Sequence, residues 1–318
     1  MPTRVPSSEM FCALKSENFP PKTKFTVENI PDLSSKVMIV TGGNTGLGKE
    51  TVKHLLTHNA KVYLAARSQV KAEDAIRELH KETGKTAIFL KLDLANLSAI
   101  KASAEDLLSK EPELHVLFNN GGVMTPPVEH LTSDGYDLQF GTNTLGHFYF
   151  TKLLMPALLR GAQTSSDGKA RVVNTSSSAL YFSTLDFDTF RDGPERLKKS
   201  TTRLYAQSKF GNTVFAHELA RRYGGQGIVS TSLTPGVIKT DLQRHLHGVK
   251  AFVVNLTANP IPQGALTQLY AGTHPEGAEL NGKYLMPFAR VVPVRPETLD
   301  EETGKKLWDW LEEQVEDM

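Results

Sequence analysis

The feature that most constrains this chain is a regular alternation, from residue 36 onward, of short apolar runs with longer amphipathic runs. Short runs rich in Val, Ile, Leu and Ala suit buried strands, whereas apolar residues spaced three and four apart suit helices. Strands that alternate with helices need crossover connections, and such connections build a parallel sheet with helices on both faces. The sequence therefore predicts an α/β fold with a doubly wound parallel sheet of about seven strands.

The predicted elements form one domain, because no repeat at a fixed period and no Gly/Ser linker interrupts them. We expect an N-terminal arm at residues 1–35, a single domain at residues 36–297 and a C-terminal helix at residues 298–318. The predicted strands lie at residues 36–40, 61–66, 86–92, 114–118, 170–174, 228–233 and 282–286, and the predicted helices at residues 51–58, 71–82, 100–110, 136–160 and 202–223.

The C-terminal residues are predicted to form a helix that docks on the same domain. Thr298 followed by Glu301 matches a capping box at the start of a helix. Leu307, Leu311 and Val315 then follow at helical spacing. Because this apolar stripe is short, docking on the domain is favoured over a partner-binding or scaffold role.

Composition and charge exclude several classes of function. The chain has 318 residues, of which 39% are hydrophobic and 22% charged, a balance that suits a soluble globular protein. A formal net charge of +1 provides no electrostatic basis for binding nucleic acid or an anionic membrane. Residues 1–35 hold no apolar run long enough for a signal peptide or a membrane span, and the single cysteine, Cys12, suits a reducing compartment. We therefore expect a cytoplasmic protein. The histidines show no metal-ligand pattern, so no metal site is predicted.

A glycine-rich segment, Thr41-Gly-Gly-Asn-Thr-Gly-Leu-Gly48, follows the first predicted strand and opens the first helix. In that position glycines allow a tight turn and a close approach of the backbone to a pyrophosphate, and the helix N-terminus supplies N–H groups and partial positive charge. The alternative is an ordinary glycine-rich turn between a strand and a helix. The predicted dinucleotide-binding residues of this loop are Gly42, Asn44, Thr45, Gly46, Leu47 and Gly48.

The end of the second predicted strand favours NADP(H) over NAD(H) as the cofactor. An acidic residue there would bind the 2′-hydroxyl of the adenosine ribose, but this chain has Arg67 and Ser68. Both side chains can bind a 2′-phosphate, and Lys49 is placed to add a second cation. The alternative is that Arg67 is a solvated charge at a strand end. Asp93-Leu94, after the third strand, is placed to border the adenine.

Two residues one helical turn apart, Tyr205 and Lys209, are the candidate acid–base pair. A free tyrosine has a pKa of about 10 and is a poor acid or base at neutral pH. A nearby cation favours the phenolate and is therefore expected to lower the pKa of Tyr205. The tyrosine would then exchange a proton with a carbonyl or an alcohol oxygen, and Lys209 would also hold the ribose hydroxyls of the cofactor. Taken alone, this spacing is common on solvated helix faces.

Other polar motifs end neighbouring strands, at the sheet edge where ligands bind. A hydroxyl after the fifth strand can bind the substrate oxygen, and Ser176, Ser177 and Ser178 compete for this role; Ser177 is preferred. Asn143, in the long helix, is a candidate to hold a water that relays protons to Lys209, or a packing residue. Further cofactor contacts are predicted for Asn120, Gly121, Gly122, Pro235, Gly236, Val237 and Thr240.

The motifs at Thr41–Gly48, Asn119–Gly122, Asn143–Gly146, Asn174–Ser177, Tyr205–Lys209 and Pro235–Thr240 together resemble the short-chain dehydrogenase/reductase family. The segment from Asn143 to Phe148 resembles the branch that includes retinol dehydrogenases and WW-domain oxidoreductase. This resemblance implies a seven-stranded Rossmann fold and hydride transfer at a nicotinamide. It also implies a catalytic tetrad of Asn143, Ser177, Tyr205 and Lys209, and a homodimer that pairs two long helices.

The chain departs from this pattern in ways that leave the substrate open. Gly121 stands where the family usually has alanine, and an N-terminal membrane anchor like that of retinol dehydrogenases is not expected, so retinol is not carried over. Apolar variable segments predict a lipophilic aldehyde, ketone or alcohol as the substrate. A dinucleotide-binding regulator without turnover is the alternative function. The predicted pocket residues are Met124, Tyr181, Phe182, Leu242 and Leu246.

Overall fold

The computed structural model describes residues 15–17, 19–238 and 258–318, and within them eight strands form one sheet. The strands are β1 (Val37–Thr41), β2 (Lys61–Ala66), β3 (Ile88–Lys91), β4 (Val116–Asn119), β5 (Ala170–Thr175), β6 (Ile228–Leu233), β7 (Tyr284–Met286) and β8 (Arg290–Val292). The principal helices are α1 (Gly46–Thr57), α2 (Gln69–Thr83), α3 (Leu97–Leu108), α4 (Gly146–Thr164), α5 (Thr201–Tyr223), α6 (Ile261–Thr273) and α7 (Glu301–Glu313). Within the described residues, no helix is long and apolar enough to cross a membrane.

The sheet has the order β3-β2-β1-β4-β5-β6-β7-β8, and all neighbours are parallel except β7 and β8. The predicted doubly wound α/β fold is therefore confirmed, with one antiparallel edge strand beyond the seven expected. The chain order reverses between β1 and β4, and their registers align the carboxyl ends, where Val40 pairs with Phe118. Such a switch point opens a crevice for ligands at the ends of the strands.

Apolar layers cover both faces of the sheet because successive strand residues point to opposite sides. In β1, Val37 and Ile39 belong to the layer that contains α3, α4, α5 and α7. Met38 and Val40 belong to the other layer, which contains α1, α2 and α6. All five β1 residues are buried, so this strand has the continuous apolar character of a central parallel strand rather than an alternating one.

Helix α6 is absent from the sequence-based prediction because two glycines, Gly264 and Gly272, weaken its helical pattern. The structure explains why glycine stands at both positions. A Cβ atom at Gly264 would lie 2.7 Å from the Ile238 side chain, and one at Gly272 would overlap the Phe118 ring. The glycines therefore allow α6 to lie close against the sheet, and close packing outweighs the lost propensity.

The start of α7 differs from its prediction by two residues. Asp300, rather than Thr298, precedes the helix, and its carboxylate accepts a hydrogen bond of 2.8 Å from the Thr303 amide. The Thr298 hydroxyl instead donates to the Arg295 carbonyl, which closes a preceding helical turn. An acidic cap adds a favourable interaction with the helix dipole, so Asp300 serves this position well.

Helix α7 docks on α4 and α5 through aromatic contacts. The Trp308 ring lies 5.1 Å from Phe148 of α4 and 6.1 Å from Phe215 of α5, measured between centroids. The Arg222 guanidinium lies 4.6 Å from the centroid of the same indole. Leu307, Trp308 and Leu311 are buried. A face shared by the two long helices is therefore covered by the chain's own C-terminal helix.

We expect Gly161→Ala in α4 to destabilise the fold, because the added Cβ would overlap the Leu114 carbonyl oxygen. Overpacking of this kind costs about 1–3 kcal/mol of unfolding free energy. Helix propensity alone would give the opposite sign, a gain of about 1 kcal/mol. Urea unfolding of the wild type and the variant shows whether the free energy of unfolding falls or rises.

The matched control is Gly225→Ala, where no atom lies within 4 Å of the added Cβ. This variant should unfold within about 0.5 kcal/mol of the wild type, as is usual for surface substitutions. A Gly161→Ala protein at least as stable as the wild type would contradict the described packing of α4 on Leu114, just before β4.

Candidate active site

A cleft with a cavity volume of about 630 Å³ lies at the carboxyl ends of the central strands. It has the position that the reversal of strand order predicts. One side is formed by the glycine-rich loop and the other by the segment after β5 and by α5. The predicted site residues that line it are Gly42, Asn44, Thr45, Gly46, Leu47, Gly48, Arg67, Asp93, Leu94, Asn120, Gly121, Gly122, Met124, Ser177, Tyr205, Lys209, Pro235, Gly236 and Val237.

The glycine-rich loop has a conformation that only glycines adopt readily. Gly42 and Gly46 have φ angles of +66° and +52°, in the left-handed region. A Cβ atom at Gly48 would overlap the Gly42 carbonyl oxygen, so the first turn of α1 lies directly against the loop. Because α1 begins at Gly46, its N-terminal amides and its dipole meet the cleft. This arrangement fits the pyrophosphate of a dinucleotide.

The Thr41 hydroxyl connects this loop to the segment after β4 and to α4. Its Oγ1 accepts hydrogen bonds from the amides of Asn120 (3.0 Å) and Gly121 (2.8 Å) and lies 2.9 Å from His147 Nε2. Burial lowers the pKa of His147 to about 4, so its ring is neutral. His147 Nδ1 lies 2.9 Å from the Asn143 carbonyl and must donate to it, so Nε2 accepts the Thr41 proton.

Asn143 lies in a π-helical turn, Gly141–Leu145, that leads into α4. Its side-chain oxygen accepts from the Val123 amide at 2.9 Å, and its side-chain nitrogen donates to the Val123 carbonyl and to the Ser208 hydroxyl. A Cβ at Gly122 would lie 2.9 Å from Asn143 Oδ1 and 3.8 Å from Lys209 Nζ, so Gly122 lies between them. Asn143 holds the cleft backbone in place, and its predicted water relay stays a prediction.

Tyr205 and Lys209 lie together on the cleft wall, 7% and 4% exposed. Lys209 Nζ donates to the Thr175 carbonyl at 2.9 Å and lies 5.8 Å from the centroid of the tyrosine ring. Burial raises the pKa of Tyr205 to about 12 and lowers the pKa of Lys209 to about 8. The expected lowering of the tyrosine pKa is thus corrected: loss of hydration is the largest influence on Tyr205, and Lys209 Nζ is bonded to a carbonyl.

The three candidate serines face different partners. The Ser176 hydroxyl donates to a main-chain carbonyl of α5 at 2.7 Å and is buried. The Ser177 hydroxyl forms a side-chain hydrogen bond with Tyr205, which opposes the rise of the tyrosine pKa. The Ser178 side chain lies beside the Glu17 carboxyl group. Of the three, Ser177 is the serine that contacts the tyrosine hydroxyl.

The cations predicted for the 2′-phosphate have different environments. Arg67 is exposed on the cleft wall and forms no hydrogen bond or ion pair with any other residue of the described chain. Lys49 is instead paired with Glu78 of α2. The Ser68 hydroxyl accepts from the Lys71 amide at 3.5 Å, at the start of α2. Arg67 is therefore the available cation, and the structure places neither Lys49 nor Ser68 on the cleft wall.

The predicted substrate pocket is only partly assembled from the expected residues. Met124 lines the cleft, but Tyr181 belongs to the apolar core and Phe182 is 55% exposed on the helical turn Ser178–Phe182. Neither residue is among those that line the described cleft, so their role in the substrate pocket stays a prediction. Thr240, Leu242 and Leu246 lie outside the described residues.

Sequence reasoning missed several cleft residues, above all Glu17 of the N-terminal arm. Glu17 is 2% exposed, and its Oε1 accepts from the Thr234 hydroxyl at 2.6 Å. Burial raises the pKa of its carboxyl group. No motif marks an isolated glutamate in a segment rich in Pro, Lys and Ser. The other missed lining residues include Ala65, Leu92, Ala95, Val123, His130, Leu138, Thr142 and Thr175.

Comparisons with known proteins extend over almost the whole chain. A sequence profile described as short chain dehydrogenase matches residues 36–184. A short-chain dehydrogenase/reductase of Armillaria gallica is 59% identical over 305 residues, 96% of this chain and 98% of that protein. Human retinol dehydrogenase 12 is 36% identical over 281 residues, 87% of this chain and 85% of that protein. A crystal structure of an uncharacterised protein from Mycobacterium paratuberculosis matches with a TM-score of 0.71 and 28% identity, over 92% of this chain and 98% of that chain.

We expect Gly48→Ala to abolish dinucleotide binding, because the new Cβ would overlap the Gly42 carbonyl and displace the loop. Gly121→Ala is the matched control. Its Cβ would lie 3.1 Å from a terminal methyl of Leu94 and 3.3 Å from Gly42 N and Thr41 Oγ1, all longer contacts than the overlap that Gly48→Ala creates. Titration of NADPH fluorescence should show no saturable binding to the first variant and a dissociation constant within about threefold of the wild type for the second. Equal affinities for both variants would contradict the loop geometry.

Proposed function

The chain belongs to the short-chain dehydrogenase/reductase family, and from that membership we propose that it is an NADP(H)-dependent oxidoreductase. The reaction interconverts a lipophilic aldehyde or ketone and the corresponding alcohol. One observation carries the proposal: Ser177, Tyr205 and Lys209 share a cleft with a glycine-rich loop. The three side chains suit proton transfer at a carbonyl or alcohol oxygen, and the glycine-rich loop suits a dinucleotide.

The described residues fit a nicotinamide dinucleotide, which when bound supplies or accepts the hydride. The N-terminus of α1 and the close approach of Gly48 to Gly42 leave room for a pyrophosphate where a side chain would not fit. Arg67 would bind a 2′-phosphate, since its guanidinium has no competing partner in the described part of the chain. Asp93, whose carboxylate accepts from the Ala95 amide, borders the adenine in this proposal.

Tyr205 is the proton donor in the direction of reduction. With its pKa raised to about 12, the phenol is protonated at neutral pH and can donate to a carbonyl oxygen. Ser177 would hold the same oxygen through its hydroxyl, which already bonds to the tyrosine. Lys209, one helical turn away, would bind the ribose hydroxyls and stabilise the phenolate left behind. Oxidation needs that phenolate from the start, and a pKa of about 12 leaves little of it at neutral pH.

The lipophilic substrate rests on the chemistry of the cleft and on one relative. Apolar side chains of Met124, Pro126, Leu138 and Val237 line the cleft beside the polar groups. The human relative is named a retinol dehydrogenase, and retinol is a lipophilic alcohol. We extend to this chain only the class of lipophilic carbonyl compounds and alcohols.

The homodimer expected for the family stays a prediction. Its usual form pairs two long helices, which here correspond to α4 and α5. Trp308 of α7 packs on Phe148 and Phe215, so one face of these helices already has a partner within the chain. A dimer built on that face would require α7 to leave it.

We expect the wild type to oxidise NADPH in the presence of lipophilic aldehydes or ketones, and Tyr205→Phe to reduce kcat by about 100-fold or more, as loss of a general acid does. The rate is followed by NADPH absorbance. Tyr223→Phe, at the far end of α5, is the matched control and should keep the wild-type rate. Cofactor binding without turnover in the wild type would favour the dinucleotide-binding regulator instead.

We expect Arg67→Ala to raise the KM for NADPH by about 10- to 100-fold, the loss typical of a hydrogen bond to a charged group. The KM for NADH should change little, because NADH lacks the 2′-phosphate. Arg77→Ala, on the exposed face of α2, is the control and should leave both constants unchanged. A parallel rise in both KM values would exclude Arg67 as the residue that selects the cofactor.

A further inference from the structure

We propose that Glu17 is a specificity residue that binds a second oxygen group, a hydroxyl or a carbonyl, on the substrate. This inference rests on the proposed function and narrows its substrate class to lipophilic carbonyl compounds that carry a further oxygen near the reacting carbon. The group comes from the N-terminal arm, which none of the active-site motifs includes.

Glu17 shares the cleft with the proposed catalytic residues. It lines the same cavity as Ser177 and Tyr205, and Ser178, the next residue after Ser177, lines this cavity too. Its charge would raise the pKa of Tyr205, which requires the two groups to be near each other. A substrate whose carbonyl oxygen faces Tyr205 would therefore extend past this carboxyl group.

One oxygen of the carboxyl group is left for a ligand. Oε1 accepts from the Thr234 hydroxyl, but the buried Oε2 has no hydrogen-bond partner among the described residues. Leaving a buried polar atom without a partner costs about 1–3 kcal/mol. Because burial favours the protonated carboxyl group, Glu17 can both donate and accept at this oxygen. A hydroxyl or carbonyl oxygen of the substrate satisfies it.

Residues 15–17 of the arm are held by a specific contact with the edge of the sheet. Arg290, the first residue of β8, donates to the Ser16 hydroxyl at 3.0 Å and to the Ser16 carbonyl at 2.8 Å. The same guanidinium donates to the Pro287 carbonyl at 2.6 Å. Two hydrogen bonds from one planar guanidinium define the orientation of Ser16. Because Glu17 is the next residue, Arg290 positions it at the cleft.

The test compares decan-2-one with 3-, 4- and 5-hydroxydecan-2-one, all with NADPH. For the wild type, kcat/KM should be at least about 10-fold higher for one hydroxyketone than for decan-2-one, the gain of one buried hydrogen bond. Glu17→Ala should bring this ratio close to one. Glu17→Gln, which keeps a donor and an acceptor, should retain most of it. Arg290→Met should lower the ratio in the same direction, because the arm loses its anchor.

Lys15→Ala, an exposed position on the same arm, is the matched control and should keep the wild-type ratio. An equal fall in kcat/KM for all four ketones in Glu17→Ala would show a structural role and overturn the proposal. So would a wild type that shows no preference for any hydroxyketone.

Binding measurements separate this inference from the proposed function. Calorimetry with the Tyr205→Phe variant and NADPH records the affinities of the same ketones without turnover. If one hydroxyketone binds more tightly than decan-2-one, and Glu17→Ala removes this difference in affinity, the role of Glu17 is supported. This holds even if the wild type reduces none of the ketones. The opposite result is that Glu17→Ala leaves the affinity for every ketone unchanged while the wild type still reduces decan-2-one. That result would support the proposed function and reject the role of Glu17.

Discussion

The cleft depends on one side chain more than on any other, the hydroxyl group of Thr41. It is the last residue of β1, at the point where the order of the strands reverses. Two amides of the neighbouring loop and the ring of His147 meet at its oxygen. A single buried hydroxyl thus joins the glycine-rich loop to the segment that carries Asn120 and Gly121. Valine, of nearly the same shape, would leave three polar groups without their partner.

Removal from water governs the electrostatics of the site. Burial moves the pKa of Tyr205 and that of Lys209 in opposite directions, and both shifts favour the uncharged side chain. Glu17 follows the same rule, since its burial also favours the protonated form. The cleft is therefore a place where side chains are held in their uncharged forms and where a charge from a ligand is felt strongly. Sequence spacing reveals which groups are neighbours, but only the depth of burial decides the sign of the shift.

Features that depend on local pattern were predictable, and features that depend on tertiary contacts were not. The strand–helix alternation predicted the parallel sheet, and the placement of motifs after strands predicted which residues share the cleft. Helix α6 escaped prediction because Gly264 and Gly272 serve packing rather than propensity. The partner of Lys49 escaped it because Glu78 lies on another helix, and Glu17 because a contact between the two ends of the chain carries no periodic signal.

The docking of α7 has a consequence for synthesis of the chain. The ribosome synthesises Phe148 and Phe215 long before Trp308, whose indole packs on both of them. Until then, part of an aromatic layer faces water on a partly built domain, the condition in which nascent chains aggregate or engage chaperones. Completion of this fold is therefore delayed until its last helix is free to close over the middle of the chain.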